Sequence, residues 1–357
     1  MVSKQKRIVW KRLVVLTEGP TDVDALSIAL GLMLREEGYE LHKENDALKV
    51  VCMNHARDAS VGLVHIMGTT GRSFCFRKSN DSEVLTVVIG TPNPQLFEGY
   101  SGVLEALRLY MNSLYTFEVE HPTVVVGVID GDTVLKGESN LRLYPGRVQL
   151  VVRKKNKNKE KDELTFRCNT VICKKIGQDR VPLLLELKPL FGRHSKSHAI
   201  VKTFLMVAGI CETCNRAKST KKYEIETFEA TLVKKLDIGE KFVEKIEDRQ
   251  VAKIVESKEN EVANYLNAFQ HEMEEWCDCN NKKLELKGEY GCIRLNYFSP
   301  LKLFSYILGF KDTYSMVNNF IEKEDITKDA VIDALKECNM YESLKYIVDT
   351  ITTSADL

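Results

Sequence analysis

A short β-branched run that passes through a tight turn into a long helical segment constrains the fold of this chain most. Residues 12–16 form an apolar run that predicts a buried strand. Residues 17–21 contain a Gly-Pro pair and predict a turn. Residues 22–34 carry apolar side chains at helical spacing, and 48–53 predict a second strand. A strand–helix–strand unit of this length indicates an α/β fold with a parallel sheet.

The same alternation continues along the first half of the chain and then changes. Further strands are predicted at 84–89, 123–129, 147–152 and 181–187, with helices at 100–114 and 170–176. From about residue 196 the pattern favours helices, at 196–217, 226–247, 250–278, 300–321 and 328–350. We therefore predict one α/β domain over residues 1–357 with a mainly parallel sheet flanked by helices. Residues 1–190 would form the sheet, and a helix-rich half, 191–357, would pack on it.

Composition excludes several classes of protein. The 357 residues are 44% hydrophobic, which argues against general disorder. Lys+Arg and Asp+Glu both number 51, so a general nucleic-acid coat is disfavoured, although a local basic patch is compatible with this balance. The sequence offers no apolar run of about 20 residues, so no membrane partner is expected. We expect a cytoplasmic protein with reduced cysteines, nuclear placement being the other option.

Acidic residues follow two of the predicted strands. Asp22 and Asp24 come after the strand at 12–16, and Asp130 comes after the strand at 123–129. Ligands of open α/β sheets bind beyond the carboxyl ends of the strands, so these three residues are candidate ligand-binding residues. Asp24 and Asp130 are candidate ligands of a weakly bound Ca²⁺ or Mg²⁺, and no other cofactor is expected. The alternative is that such acids cap helices and make turns.

The first turn resembles that of the nucleoside hydrolases, the inosine-uridine-preferring family. That family has an Asp-x-Asp-Pro-Gly-x-Asp-Asp-Ala-Leu turn, and residues 17–26 read Thr-Glu-Gly-Pro-Thr-Asp-Val-Asp-Ala-Leu. Weaker likenesses follow in order at 71–76, 124–127, 165–190 and 297–301. The resemblance implies an N-ribohydrolase ancestry and a nucleoside-like ligand.

The chain departs from that family at the positions where the family places its catalytic and ligand groups. Of the acids in the family's first turn, only the one at Asp24 is kept. The replaced positions are Thr17, Gly19, Val23 and the pair Phe298-Ser299. Valine cannot accept a proton, so no catalytic residue is assigned on this alignment. The first hypothesis is therefore an inactive homologue that acts as a binding or interaction module, with a protein or a nucleoside-like small molecule as its partner.

A second resemblance is to the Toprim fold of primases, topoisomerases and some nucleases. Those proteins have a Glu-Gly turn after the first strand and an Asp-x-Asp motif after a later strand. This chain has Glu18-Gly19 and Asp130-Gly131-Asp132. The resemblance implies that Glu18 acts as acid or base while Asp130 and Asp132 hold Mg²⁺ for phosphoryl chemistry. Nucleic acid is an expected partner only under this alternative, which is an Mg²⁺-dependent nuclease or phosphotransfer enzyme.

Overall fold

The computed structural model describes the chain in a series of ranges. They are 8–42, 67–79, 82–92, 99–116, 121–135, 141–153, 161–176, 179–188, 200–210, 228–229, 231–232, 235, 284–288, 291–295, 301, 305, 313–322 and 328–354. The strands are β1 (Val9–Leu16), β2 (Tyr39–Leu41), β3 (Met67–Lys78), β4 (Glu83–Pro92), β5 (Thr123–Asp130), β6 (Leu141–Tyr144), β7 (Arg147–Arg153), β8 (Lys161–Ile176), β9 (Asp179–Lys188), β10 (Val201–Ala208), β11 (Leu284–Gly288) and β12 (Gly291–Leu295). The helices are α1 (Pro20–Glu36), α2 (Gly99–Thr116), α3 (Gly131–Leu135), α4 (Thr313–Glu322), α5 (Lys328–Glu337) and α6 (Tyr341–Thr353).

The chain divides into two compact units. The first comprises Met1–Ala208 together with Glu342–Leu357, and the second comprises Gly209–Tyr341. The first unit contains a ten-stranded sheet in the order β2-β3-β4-β1-β5-β10-β9-β8-β7-β6. The sheet-forming part of the chain therefore extends past residue 190 to include β10. The hairpin β11–β12 lies in the second unit.

The fold is α/β, but the prediction of a mainly parallel sheet is wrong. The parallel core is β4-β1-β5-β10, with three parallel pairings. The other six pairings of the sheet are antiparallel. The reason is local: strands β6 and β7 are joined by a two-residue turn in which Gly146 has a φ of +78°, and such a short turn can only reverse the chain.

Helices cover both faces of the parallel core. Gly127 of β5 faces α2, because a Cβ atom placed there would lie 2.3 Å from Cδ1 of Leu107. Its neighbour Val126 points to the other face and pairs in register with Phe204 of β10. The Phe204 ring meets Tyr346 of α6 edge-on, with 5.9 Å between the ring centroids. Helices α2 and α6 therefore pack on opposite faces, which explains why all of β5 except Asp130 is buried.

Most of the predicted strands are confirmed, and two of the predicted helices are not. The segments at 12–16, 84–89, 123–129, 147–152 and 181–187 lie within β1, β4, β5, β7 and β9, and 100–114 lies within α2. The helix predicted at 170–176 is wrong, because those residues continue β8 and pair with β9. The helix predicted at 196–217 is wrong over its described middle part, since Val201–Ala208 is a core strand. The strand predicted at 48–53 lies outside the described residues, as do nearly all of 226–247 and all of 250–278.

The predicted helix-rich half is supported only at its end. Helices α4, α5 and α6 lie in the segments predicted at 300–321 and 328–350, with a break between α5 and α6 at Cys338–Met340. Cysteine chemistry also differs from expectation, because Cys75 of β3 is disulfide-bonded, whereas Cys168, Cys173 and Cys338 are free. In the ranges given above, none of the helices combines the length and the apolar character that crossing a membrane requires.

Candidate functional site

Two parallel strands bring the predicted acidic turns to one edge of the sheet. Strand β1 pairs directly with β5, from Arg12 opposite Thr123 to Leu16 opposite Gly127. Both strands therefore end at the same edge, which we call the carboxyl edge. The turn that follows β1 and the segment that follows β5 meet there, as the strand pattern predicts.

Glu18 makes the contact that joins the two turns. Its Oε1 accepts a hydrogen bond from the backbone N–H of Asp130 at 2.9 Å. Its Oε2 faces the start of α2, where a Cβ atom on Gly99 would lie 3.6 Å away. Gly99 has a φ of +54°, a conformation that glycine adopts at little cost. The carboxylate of Glu18 is thus held between β5 and the first residue of α2.

The turn that carries Glu18 is fixed by backbone contacts on both of its sides. The N–H of Thr17 donates to the carbonyl of Gly90 in β4 at 3.0 Å. The hydroxyl of Thr17 donates to the carbonyl of Gly19 at 3.0 Å. Gly19 is the residue that precedes α1, and its N–H donates to Oδ2 of Asp22 at 2.8 Å. Glu18 therefore projects from a rigid turn rather than from a long loop.

Asp22 serves the helix rather than an open crevice. Asp22 is the third residue of α1 and is 4% exposed, and its carboxylate accepts the hydrogen bond from the N–H of Gly19, the N-cap residue, as in a capping box. The capping alternative that the sequence left open therefore describes Asp22. A role of Asp22 in ligand binding stays a prediction, and none of its described contacts favours that role.

Asp24 is engaged on the other side of β1. Its carboxylate forms an ion pair with Arg72 of β3, whose Nε donates to Oδ1 at 2.6 Å and whose Nη2 contacts the same oxygen. Strand β3 lies two places from β1 on the side away from β5. Asp24 and Asp130 are thus oriented toward different sides of β1, so the pairing of these two residues as metal ligands gains no support.

Asp130 and Asp132 lie directly after the buried part of β5. Asp130 is the last residue of the strand, and Asp132 lies in the first turn of α3. Both are partly buried, and the hydroxyl of Thr133 lies 3.4 Å from Oδ1 of Asp132. Neither aspartate is enclosed in the core, so each can present oxygen at the carboxyl edge.

Oxygen donors of this kind suit a hard cation, but they do not form a complete protein cage. Across the residues whose placement is described, no group of three or more His, Cys, Asp or Glu side chains is arranged to hold a metal ion. Mg²⁺ usually keeps several waters and takes one or two carboxylates together with substrate phosphates. A metal site at Asp130 and Asp132 therefore stays a prediction.

Two residues of this edge were not predicted as site residues. Gly99 gives space to the Glu18 carboxylate, and Arg72 neutralises Asp24. A glycine at the start of a helical pattern is a common and unspecific signal. Arg72 is 48 residues from Asp24 in the chain, so only the pairing of β3 with β4 brings it near.

Comparison of the chain with protein-family models, with curated proteins and with solved structures gives no match.

Proposed function

We propose that this protein is an Mg²⁺-dependent phosphotransfer enzyme or nuclease of the Toprim type, with Glu18, Asp130 and Asp132 as its active-site acids. The observation that carries the proposal is the hydrogen bond from the Asp130 N–H to Glu18. It joins the Glu-Gly turn to the Asp-Gly-Asp turn, although 112 residues separate Glu18 from Asp130 in the chain. The two motifs of the resemblance thus meet at adjacent strand ends.

The chemistry assigned to each residue follows from its position. When bound, Mg²⁺ would neutralise charge on the phosphoryl oxygens and activate a coordinated water. Asp130 and Asp132 are the residues that would hold it. Glu18 accepts the hydrogen bond of the Asp130 N–H through Oε1, which places its carboxylate beside Asp130, and we assign it the role of acid or base. Hydrogen bonds of Thr17 and Gly19 hold the backbone on either side of Glu18.

The nucleoside-hydrolase resemblance ranks below this proposal. Val23, at the position of the family's general base, is 1% exposed and points into the core. Asp24, the acid that the family shares with this chain, is committed to Arg72. An inactive homologue that binds a nucleoside-like molecule or a protein therefore draws no support from a specific contact in the described part of the chain.

The proposal is tested by Mg²⁺-dependent cleavage of end-labelled single- and double-stranded DNA and RNA. Glu18→Gln, Asp130→Asn and Asp132→Asn should each lower the rate by about 100-fold or more. Asp329→Asn, which removes an exposed acid from α5, is the matched control and should retain full activity.

A parallel assay addresses the other resemblance. Inosine and uridine with Ca²⁺ should release no base, because Val23 cannot activate water. Base release that disappears in Asp24→Ala would overturn the proposal in favour of the nucleoside hydrolases. Cleavage of nucleic acid that persists in all three acid variants would overturn it as well.

A further inference from the structure

A row of cations crosses the exposed face of the antiparallel part of the sheet. Arg147 of β7 pairs directly with Arg167 of β8, and Arg167 pairs directly with Lys188 of β9. Residues that are directly opposite in neighbouring strands point to the same face. All three residues are exposed. We call Arg147, Arg167 and Lys188 the cationic row.

The row continues at both of its ends. Lys202 of β10 comes one residue before Thr203, which pairs with Leu187, so Lys202 lies beside Lys188. At the other end Tyr144 of β6 pairs with Arg147, and its ring lies 4.7 Å from the guanidinium carbon. Five consecutive strands therefore contribute an aromatic or cationic side chain to one line across the sheet.

Stability of the sheet does not explain this arrangement. Like charges directly opposite one another in a sheet are destabilising, and the row contains two such pairs in succession. In the ranges for which side chains are described, neither Arg167 nor Lys188 has an ion-pair partner. The acid beside them, Glu186, forms its ion pair with Lys202 at 3.4 Å. The positive charge of the row is thus concentrated and largely uncompensated.

We propose that the cationic row binds the phosphate backbone of a nucleic acid. Neighbouring strands are about 4.8 Å apart, so the three cations span roughly 10 Å. Successive phosphates of a strand are separated by at least the axial rise of about 3.4 Å, so a row of this length can contact more than one consecutive phosphate. Tyr144 offers a ring at the end of the row on which a base can stack.

This inference rests on the proposed function and adds a substrate class and a second contact region. Lys202 lies opposite Val124 of β5, whereas Ala208 lies opposite Asp130. At about 3.3 Å per residue, the row lies roughly 20 Å along the strands from the carboxyl edge. A substrate that reaches both regions must therefore be a polynucleotide rather than a mononucleotide.

The test measures binding without catalysis. Fluorescence anisotropy of labelled single-stranded DNA, RNA and duplex DNA is followed in EDTA over a range of salt concentrations. The variant Arg147→Gln/Arg167→Gln/Lys188→Gln should bind about 10-fold or more weakly, and its log–log salt slope for single strands should be lower by about 2. The control Lys235→Gln/Lys328→Gln/Lys336→Gln removes the same charge from exposed lysines elsewhere and should match the parent protein.

Two further measurements separate binding from folding. The melting temperature of the row variant should equal or exceed that of the parent, because like-charge repulsion is removed. The charge-conserving variant Arg147→Lys/Arg167→Lys should retain most of the binding. A loss of binding in this second variant together with a lower melting temperature would mean that the row is structural and would overturn the proposal.

The remaining outcomes are equally decisive. Parent protein that binds none of the nucleic acids, or a row variant that binds them as the parent does, overturns the proposal. Equal displacement of the nucleic acid by poly-glutamate would assign the row to acidic proteins instead. If binding depends on the cationic row but the protein cleaves no nucleic acid, the proposed function is overturned. The proposal that the row binds nucleic acid then still stands.

Discussion

The polar groups at the two edges of the parallel core differ in their burial and in the contacts described for them. At the amino edge, where β1 and β4 begin, Lys11 is 2% exposed and its ammonium contacts Glu83 at 2.8 Å and the Thr352 carbonyl at 2.7 Å. Tyr39 also donates its hydroxyl to Glu83. At the carboxyl edge, Glu18, Asp130 and Asp132 are only partly buried, and Glu18 accepts a hydrogen bond from the backbone N–H of Asp130.

We expect the amino edge to serve stability and the carboxyl edge to serve the proposed chemistry. Opposite charges that satisfy each other in a buried place tie the end of α6 to β1 and β4. Under the proposed function, the partly buried acids of the carboxyl edge serve chemistry instead, since titratable groups at such positions are typical of functional sites.

Lys11→Met should lower the free energy of unfolding by about 3 kcal/mol, because it removes a buried ion pair and leaves the partly buried Glu83 without its closest cation. Chemical denaturation at neutral pH measures the change. Lys78→Met is the matched control, since Lys78 is 30% exposed and lies 3.6 Å from the same carboxylate. It should cost about 1 kcal/mol or less. If Lys11→Met and Lys78→Met lowered the free energy of unfolding equally, the contrast between the buried Lys11 and the more exposed Lys78 would be contradicted.

Gly127→Ala should lower the free energy of unfolding by about 1–3 kcal/mol through overpacking against α2. The new Cβ would lie 2.3 Å from Cδ1 of Leu107 and 3.0 Å from Cγ1 of Val103. The double variant Gly127→Ala/Leu107→Ala should lose less than the sum of the two single variants, because the second change makes room for the first. If the losses of unfolding free energy in the two single variants simply add in the double variant, the packing of α2 does not depend on the contact between residue 127 and Leu107.

The amino-acid sequence predicts the core of this fold better than its periphery. Residues 13–16 of β1 and 123–129 of β5 are uncharged and buried throughout, so these runs stand out from the sequence alone. Strand β8 alternates between buried and exposed positions until a pairing irregularity near Thr170 interrupts it. That irregularity removes the period-2 signal over 170–176, which is why the segment is mistaken for a helix.

Part of the candidate site could likewise be predicted from the sequence, and part could not. The neighbourhood of Glu18 and Asp130 follows from two strong strands that end at one edge. The roles of Asp24 and Asp22 could not be predicted, because one depends on Arg72 of a distant strand and the other on the turn geometry at Gly19. The antiparallel order of β6 to β9 sets the cationic row, and the sequence pattern does not supply that register.

Stability should depend on pH through Glu83 at the amino edge. Burial raises the pKa of Glu83, but hydrogen bonds from Lys11 and Tyr39 and the nearby ammonium groups outweigh it, so its pKa lies below the ordinary value of 4.5. A carboxyl whose folded pKa is lowered stabilises the fold above its unfolded pKa and loses that contribution as the pH falls through the folded value. The stability gap between the parent and Glu83→Gln should therefore narrow below about pH 4.5. A gap that is constant from pH 7 to pH 3 would contradict the lowered pKa.

Glu18→Gln should change stability least, by about 0.5 kcal/mol or less, while it abolishes the proposed activity. The amide keeps an oxygen that can accept the bond from the Asp130 N–H, and the turn at Gly19 is held by its own contacts. Denaturation and cleavage measured on the same preparation give both values. If Glu18→Gln proved as destabilising as Lys11→Met, the carboxyl edge would be structural in the same sense as the amino edge. A small change in stability together with lost cleavage would instead show that the variant impairs the proposed proton transfer, because an amide cannot exchange a proton as a carboxylate does.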